Sequence, residues 1–259
     1  MLSEQMVMFA TGIECSYPVI LNGTHRVDEL ALTGHYDRWR EDLALVSDMG
    51  LKFLRYGFPY HIVNPARGVY NWDFCDAVMN EMRSLGITPI LDVCHFGLPD
   101  WLGNSFQNPD FPREFAEYAR AVAQRYPWVR HWTPVNEIFV TAKFSALFGW
   151  WNEAKSDDTS YVTATKHLVQ ASLLAQKEIS KIQPQAVFIH SESSERTHTV
   201  CGCPPTRERA RWENQSRFLA LDLLYGHQVR AEVYEYLLQN ACRAKIITGS
   251  WKTGRARVV

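Results

Sequence analysis

A glutamate beside an asparagine, at the end of a short β-prone run, is the pair in this chain best suited to acid catalysis. It closes the segment Trp132-Thr133-Pro134-Val135-Asn136-Glu137. Apolar walls favour the neutral form of such a carboxyl, so that it can hold a proton near neutral pH. The neighbouring amide donates and accepts hydrogen bonds, which suits a hydroxyl of a polyhydroxylated substrate. Cleavage of a glycosidic bond needs such an acid, because the leaving oxygen must be protonated as positive charge develops on the sugar. A solvated glutamate ending a strand fits the same spacing, and spacing alone leaves both readings open.

Other groups with chemical potential sit in similar places. Arg55, His95, and His190 with Glu192 all follow apolar runs. His95 reads either as a packed or capping residue or as a ligand-binding one, and Arg55 either as a structural ion-pair partner or as part of a site. Trp101, Trp132, Trp150 and Trp151 offer rings that can stack on the apolar face of a pyranose, or can simply pack. His95, Glu137, His190 and Glu192 together would suit Mn²⁺ or Zn²⁺, which makes a metal-dependent sugar isomerase or lyase a weaker alternative. Cys201-Gly202-Cys203 has the wrong spacing for a metal site and reads as a plain loop.

Placing these side chains requires short apolar runs alternating with amphipathic stretches. From His35 to Met49, the residues Trp39, Leu43, Val46 and Met49 form one helical stripe, which Gly50 ends. Asp73 is suited to cap a helix with an inner face of Phe74, Val78, Met82 and Leu85. Pro112 fits a first helical turn, followed by the stripe Phe115, Ala119, Val122 and Tyr126. A long helix is predicted from about Thr159 to Ile182, and further helices over roughly 207–225 and 228–239. Strands are predicted at Val7–Ile13, Lys52–Gly57, Ile87–Cys94, Arg130–Val135 and Ala186–His190.

Strand–helix units in succession imply a parallel sheet. No Gly-rich phosphate loop follows the first strand, and the polar residues gather at strand C-termini, so the α/β fold expected is a (β/α)8 TIM barrel. Five units in about 240 residues would extrapolate to roughly 380 for eight, so the barrel is expected to be incomplete, with about five to six units.

Composition narrows the partners. The chain has 259 residues with 27 basic and 28 acidic side chains, a net charge of −1. That balance argues against a partner held by its phosphates, whether nucleic acid or anionic membrane. The expected partner is a small molecule, without a cofactor or metal. No apolar run reaches the length of a membrane span, and no basic residue precedes Arg26, so a cytoplasmic protein is expected. The six cysteines read as buried thiols.

The stretch from His35 to Glu137 resembles the N-terminal part of glycoside hydrolase family 1, the β-glucosidase and 6-phospho-β-glycosidase group. The pieces that carry the resemblance run in order: His35–Asp42, Phe53-Leu54-Arg55-Tyr56, Tyr70-Asn71-Trp72, His95–Leu102, Phe115–Ala119 and Thr133–Glu137. Phe9–Ser16 is similar more loosely, and the likeness covers about residues 9 to 195. The resemblance implies hydrolysis of O-glycosidic bonds in β-glycosides by a retaining mechanism. It makes Glu137 the general acid/base and Asn136 the holder of the hydroxyl next to the anomeric carbon. His95 becomes a binder of sugar hydroxyls, and Arg55 the cation that keeps the nucleophilic carboxylate ionised. Trp101 is the candidate stacking residue, and Ile138–Asp158 the candidate variable loop.

Four departures qualify that reading. Ile138 stands where the family has the proline of Asn-Glu-Pro, and Phe96 stands where it has tryptophan after the histidine. The first-strand glutamine has no clean counterpart, Glu14 and Tyr17 being nearby. No Thr-Glu-Asn-Gly-like motif supplies the strand-7 nucleophile. Trp212-Glu213-Asn214 comes near but reads as helix, and Glu192 and Glu195 follow the wrong strand. Impaired activity is therefore expected, with a non-catalytic sugar-binding pseudoenzyme or a truncated or frame-shifted fragment as the alternative. Residues 1–240 read as a partial barrel domain, and 241–259 as a basic tail outside the family sequence. Exposed sheet edges would favour self-association.

Overall fold

The computed structural model describes residues 8–103 and 105–240, so the expected tail and the sixth strand suggested at 244–251 lie outside the described residues. Five parallel strands form one sheet: β1 (Ala10–Ile13), β2 (Phe53–Gly57), β3 (Thr88–Asp92), β4 (His131–Thr133) and β5 (Val187–Phe188). Their spatial order is their chain order. A doubly wound sheet would reverse at a switch point, whereas unbroken winding is how a (β/α)8 barrel is built.

The crossovers are helices: α1 (His35–Asp48), α2 (Asp73–Ser84), α3 (Phe111–Arg125) and α4 (Asp158–Ile182). Then come α5 (Pro204–Ser216), α6 (Leu219–Tyr225) and α7 (Ala231–Gln239), so the predicted helix over 207–225 is two. The stripe of α1 buries Trp39, Leu43 and Val46, but Met49 lies just past the helix and is 70% exposed. Asp73 does not cap α2. Its own N–H instead donates to Asn71 Oδ1 at 3.1 Å. At α4 the cap is Asp157, whose carboxylate accepts the Ser160 N–H at 2.8 Å.

Strand register separates the two faces of the sheet. Tyr56 pairs with Leu91, Leu91 with Trp132, and Trp132 with Phe188, forming one row across four strands. All four are buried in the core with the helices, and each contributes roughly 1.5–3 kcal/mol. The Trp132 indole N–H donates to Gln183 Oε1 at 3.0 Å, so this tryptophan is a core residue. Because side chains alternate across a strand, Arg55, Asp92 and Thr133 share the opposite face.

Above the strands, backbone hydrogen bonds continue upward. Asn136 N–H reaches Cys94 O at 2.9 Å, and Glu137 N–H reaches Ser191 O at 3.0 Å. A hairpin of Val19–Ile20 and His25–Arg26, absent from the sequence expectations, crosses this end. Asn152 secures it by accepting the Val19 N–H (3.0 Å) while donating to Phe96 O (2.9 Å). Its neighbour Tyr17 donates its N–H to His95 O at 3.2 Å.

A Cβ at Gly97 would lie 1.8 Å from Tyr17 O, a backbone atom that cannot rotate away. Gly97→Ala is therefore expected to force the two loops apart and cost about 1–3 kcal/mol. Urea unfolding measures this, and a midpoint equal to wild type would show that the loops do not touch.

The expected loop Ile138–Asp158 begins as helix instead. Ile138–Ala142 is α-helical and Lys143–Leu147 continues as a π-turn. Buried Ile138, Phe139, Val140, Ala142 and Ala146 hold it against the core, which a solvated loop would not provide. Cys15, Cys75 and Cys94 are buried thiols, whereas Cys201 and Cys203 are exposed and disulfide-bonded to one another.

Candidate active site

Four strands deliver the site, three of them at or just past their C-terminal ends. Glu14 directly follows β1, Arg55 lies within β2, Asp92 ends β3 with His95 three residues on, and Asn136-Glu137 follow β4. Arg55 binds them together. Its Nη2 donates to Asp92 Oδ2 at 2.5 Å and to Asn136 Oδ1 at 2.6 Å, and its Nη1 lies 3.5 Å from Glu14 Oε1. Asp92 Oδ2 also takes His95 Nδ1 at 2.5 Å.

These contacts fix the Asn136 amide. Since its oxygen accepts from Arg55, its nitrogen faces His95 Nε2 at 3.1 Å. That same Nε2 lies 3.5 Å from Glu14 Oε2. It has two competing uses: unprotonated, it accepts from Asn136; protonated, it faces the Glu14 carboxylate. Burial alone would lower the His95 pKa, but the charge and hydrogen bond of Asp92, with help from Glu14, push it up to about 9. The protonated form therefore prevails at neutral pH, with Asn136 free to offer its N–H elsewhere.

Glu14 and Glu137 are driven in opposite directions. His95 and then Arg55 hold the Glu14 carboxyl below its ordinary value against the opposing effect of burial. Burial raises Glu137, with the Glu14 charge adding to that and His95 and Arg55 opposing it. Carboxyls pushed apart in this way can divide proton-donating and charge-bearing roles. Glu137 stands in the left-handed region, at φ 40°, where a non-glycine side chain must be held by its surroundings.

Three buried polar atoms near the strand ends have no partner among the described residues: Arg55 Nε, Asp92 Oδ1 and Thr133 Oγ1. Such orphans carry a desolvation cost and mark a site with unused hydrogen-bonding capacity.

The chain matches the model of glycosyl hydrolase family 1 over residues 18–243. It belongs to that family. The 6-phospho-beta-glucosidase AscB of Escherichia coli (strain K12) is 29% identical over 167 residues, 59% of this chain and 35% of that protein. Beta-glucosidase A of Thermotoga maritima is 30% identical over 122 residues, 44% of this chain and 27% of that protein. The Thermotoga maritima beta-glucosidase solved in complex with castanospermine superposes with a TM-score of 0.78 at 20% identity, covering 93% of this chain and 60% of that one. This likeness establishes the barrel fold. The chain spans about a third of the length of these curated relatives and three-fifths of the solved one.

Within the family 1 scaffold, Arg55, His95 and Asn136 come together as one network, with Glu137 beside it. Trp101 is placed differently: its indole N–H donates to Asn64 O at 2.8 Å, in the connection between β2 and α2. Phe96 meets His95 edge-on at 4.5 Å and Trp151 at 4.9 Å, so an aromatic rim flanks the histidine. His95, Glu137, His190 and Glu192 do not gather as metal ligands, since no group of three or more candidate ligands occurs among the described residues. His95 is instead engaged with Asp92, and Glu192 with the Phe139 backbone.

Sequence reasoning missed Asp92, the hub of the network. Its signal was a lone carboxylate inside the apolar run Ile87–Cys94, three residues before a histidine. The described helices include none long and apolar enough to cross a membrane.

Proposed function

We propose that this chain forms the acid/base side of a retaining β-glycosidase site, with a β-glycoside bound over the C-terminal ends of β1–β4. Glu137 is the proton donor, and Asn136 and His95 hold sugar hydroxyls. Arg55 serves as the cation for an ionised carboxylate, and Trp101 is a more distant candidate for sugar contact. The observation that carries this reading is the pairing of Glu137, its carboxyl raised by burial, with an Asn136 amide oriented by Arg55. In catalysis, Glu137 would give its proton to the glycosidic oxygen as the bond to the anomeric carbon breaks, then take one from water in the second half-reaction.

Turnover by these 259 residues is expected to be impaired, because they contain no strand-7 Thr-Glu-Asn-Gly-like motif. A sugar-binding protein without turnover is the second reading, favoured by the same observation. Calorimetric titration with an aryl β-glucoside and with its 6-phosphate tests the pocket. Binding is expected for wild type and is expected to weaken at least tenfold in Asn136→Ala, which loses about 1.4 kcal/mol or more of hydroxyl contact. Equal affinity in both proteins would place the sugar elsewhere.

A further inference from the structure

The isoleucine at 138 changes what the backbone after Glu137 requires. A proline there would have no N–H, whereas Ile138 adds one to the unpaired N–H groups at the start of Ile138–Ala142. The segment after β5 meets this turn. Ser191 O accepts the Glu137 N–H at 3.0 Å, and the two Glu192 carboxyl oxygens lie 3.2 and 3.3 Å from the Phe139 nitrogen. Arg217, just after α5, donates to Ser193 O at 3.2 Å and holds the far side of the segment. Glu137, with its positive φ, is thus flanked by two contacts from the segment that follows β5, one on its own N–H and one on the Phe139 N–H.

We propose that Glu192 is a positioning residue for Glu137: its carboxyl anchors the turn that aims the acid/base and couples electrostatically to it. This rests on the acid/base reading of Glu137. The coupling has a physical basis in what surrounds Glu192. It faces Glu137 from the end of β4, Arg217 from the end of α5, the Tyr161 hydroxyl from α4, and the N–H groups of Phe139 and Ile138. Burial pushes its carboxyl up, the Phe139 N–H holds it down, Glu137 pushes it up and Arg217 holds it down, the balance being about 8. Glu137 in turn faces His95, Glu14, Arg55 and Glu195. A negative charge on Glu137 therefore disfavours ionisation of Glu192.

The test uses the full chain, with carbon-13 NMR titration of glutamate carboxyls and hydrogen exchange at the Phe139 amide. Glu192→Ala removes the anchor, and exchange at Phe139 is expected to accelerate by roughly tenfold or more. Glu192→Gln keeps an accepting oxygen and is expected to restore slow exchange. In Glu137→Gln the neighbouring charge is gone, so the Glu192 midpoint near 8 is expected to fall by roughly one pH unit, a change that a purely structural cap would not produce. Unchanged exchange in Glu192→Ala overturns the anchor, and an unmoved midpoint in Glu137→Gln overturns the coupling. If Glu192→Ala does not fold, the Glu192→Gln exchange and the Glu137→Gln titration decide the matter. Neither readout uses a substrate, so their failure leaves the acid/base role standing. Turnover indifferent to Glu137→Gln would remove that role and leave the anchor in place.

Discussion

Glu137→Gln is expected to slow glycoside cleavage by about 10²–10⁴-fold when the leaving group needs a proton, the range typical of a positioned general acid. Glutamine keeps the side-chain shape and the backbone bond to Ser191 O, so the fold and the pocket persist. What it cannot do is deliver a proton. Azide can supply the attacking group in place of a protein carboxylate. It attacks the anomeric carbon, the bond to the aglycone oxygen breaks, and Glu137 gives that oxygen its proton. The product with wild type is then an α-glycosyl azide, detectable by mass spectrometry and NMR. A 2,4-dinitrophenyl glycoside departs without protonation, so Glu137→Gln should hardly affect it, whereas an unactivated phenyl glycoside, with a far more basic leaving oxygen, should show the full loss. An equal loss on both substrates would mean that Glu137 organises the pocket and donates no proton. No product from wild type with either substrate would leave sugar binding as the function.

The contrast between Glu137 and its supports shows what the sequence carries. The helices α1 to α4 were legible because their apolar residues recur at helical spacing and their far faces are polar. Strands β1 to β5 were legible as short apolar runs between them, although each is shorter than the run that suggested it. Arg55, His95, Asn136 and Glu137 were legible as polar residues beside those runs. Asp92 was not, since its position within Ile87–Cys94 suggested core, and only the register with Gly57 and Thr133 reveals that it faces Arg55. The same limit applies to Glu192. It follows β5 and reads in the sequence as a candidate metal ligand, but its oxygens meet a backbone N–H more than fifty residues earlier in the chain. Ile138–Leu147 was misread because its buried residues run almost without interruption, and a run with no polar face gives no helical period. Contacts between distant segments set these features, and local pattern carries no information about them.

Asp92 is accordingly where a single change should do most damage to stability. Its side chain is 1% exposed and takes both Arg55 and His95, so Asp92→Ala strands a guanidinium that is itself only 18% exposed. Breaking a buried pair from one side costs about 3–5 kcal/mol, and the partial exposure of Arg55 places this case toward the lower end. The loss should depend on pH in a direction that His95 dictates. Its folded pKa, about 9, lies above the ordinary value near 6.5, so the folded state binds the proton more tightly than the unfolded chain. That contribution is fully present below about pH 6.5 and disappears as pH rises through about 9. Glu192, raised to about 8, produces a decline of the same sign in both proteins, so only the difference between them reports His95. Wild type should therefore lose more stability than Asp92→Ala between pH 6 and pH 9.5, and the two unfolding free energies should converge. Asp92→Asn separates charge from shape: it keeps an acceptor for Arg55 yet should flatten the pH dependence as Asp92→Ala does. Parallel pH profiles in all three proteins, measured by urea unfolding, would show that the His95 proton is held by something other than Asp92.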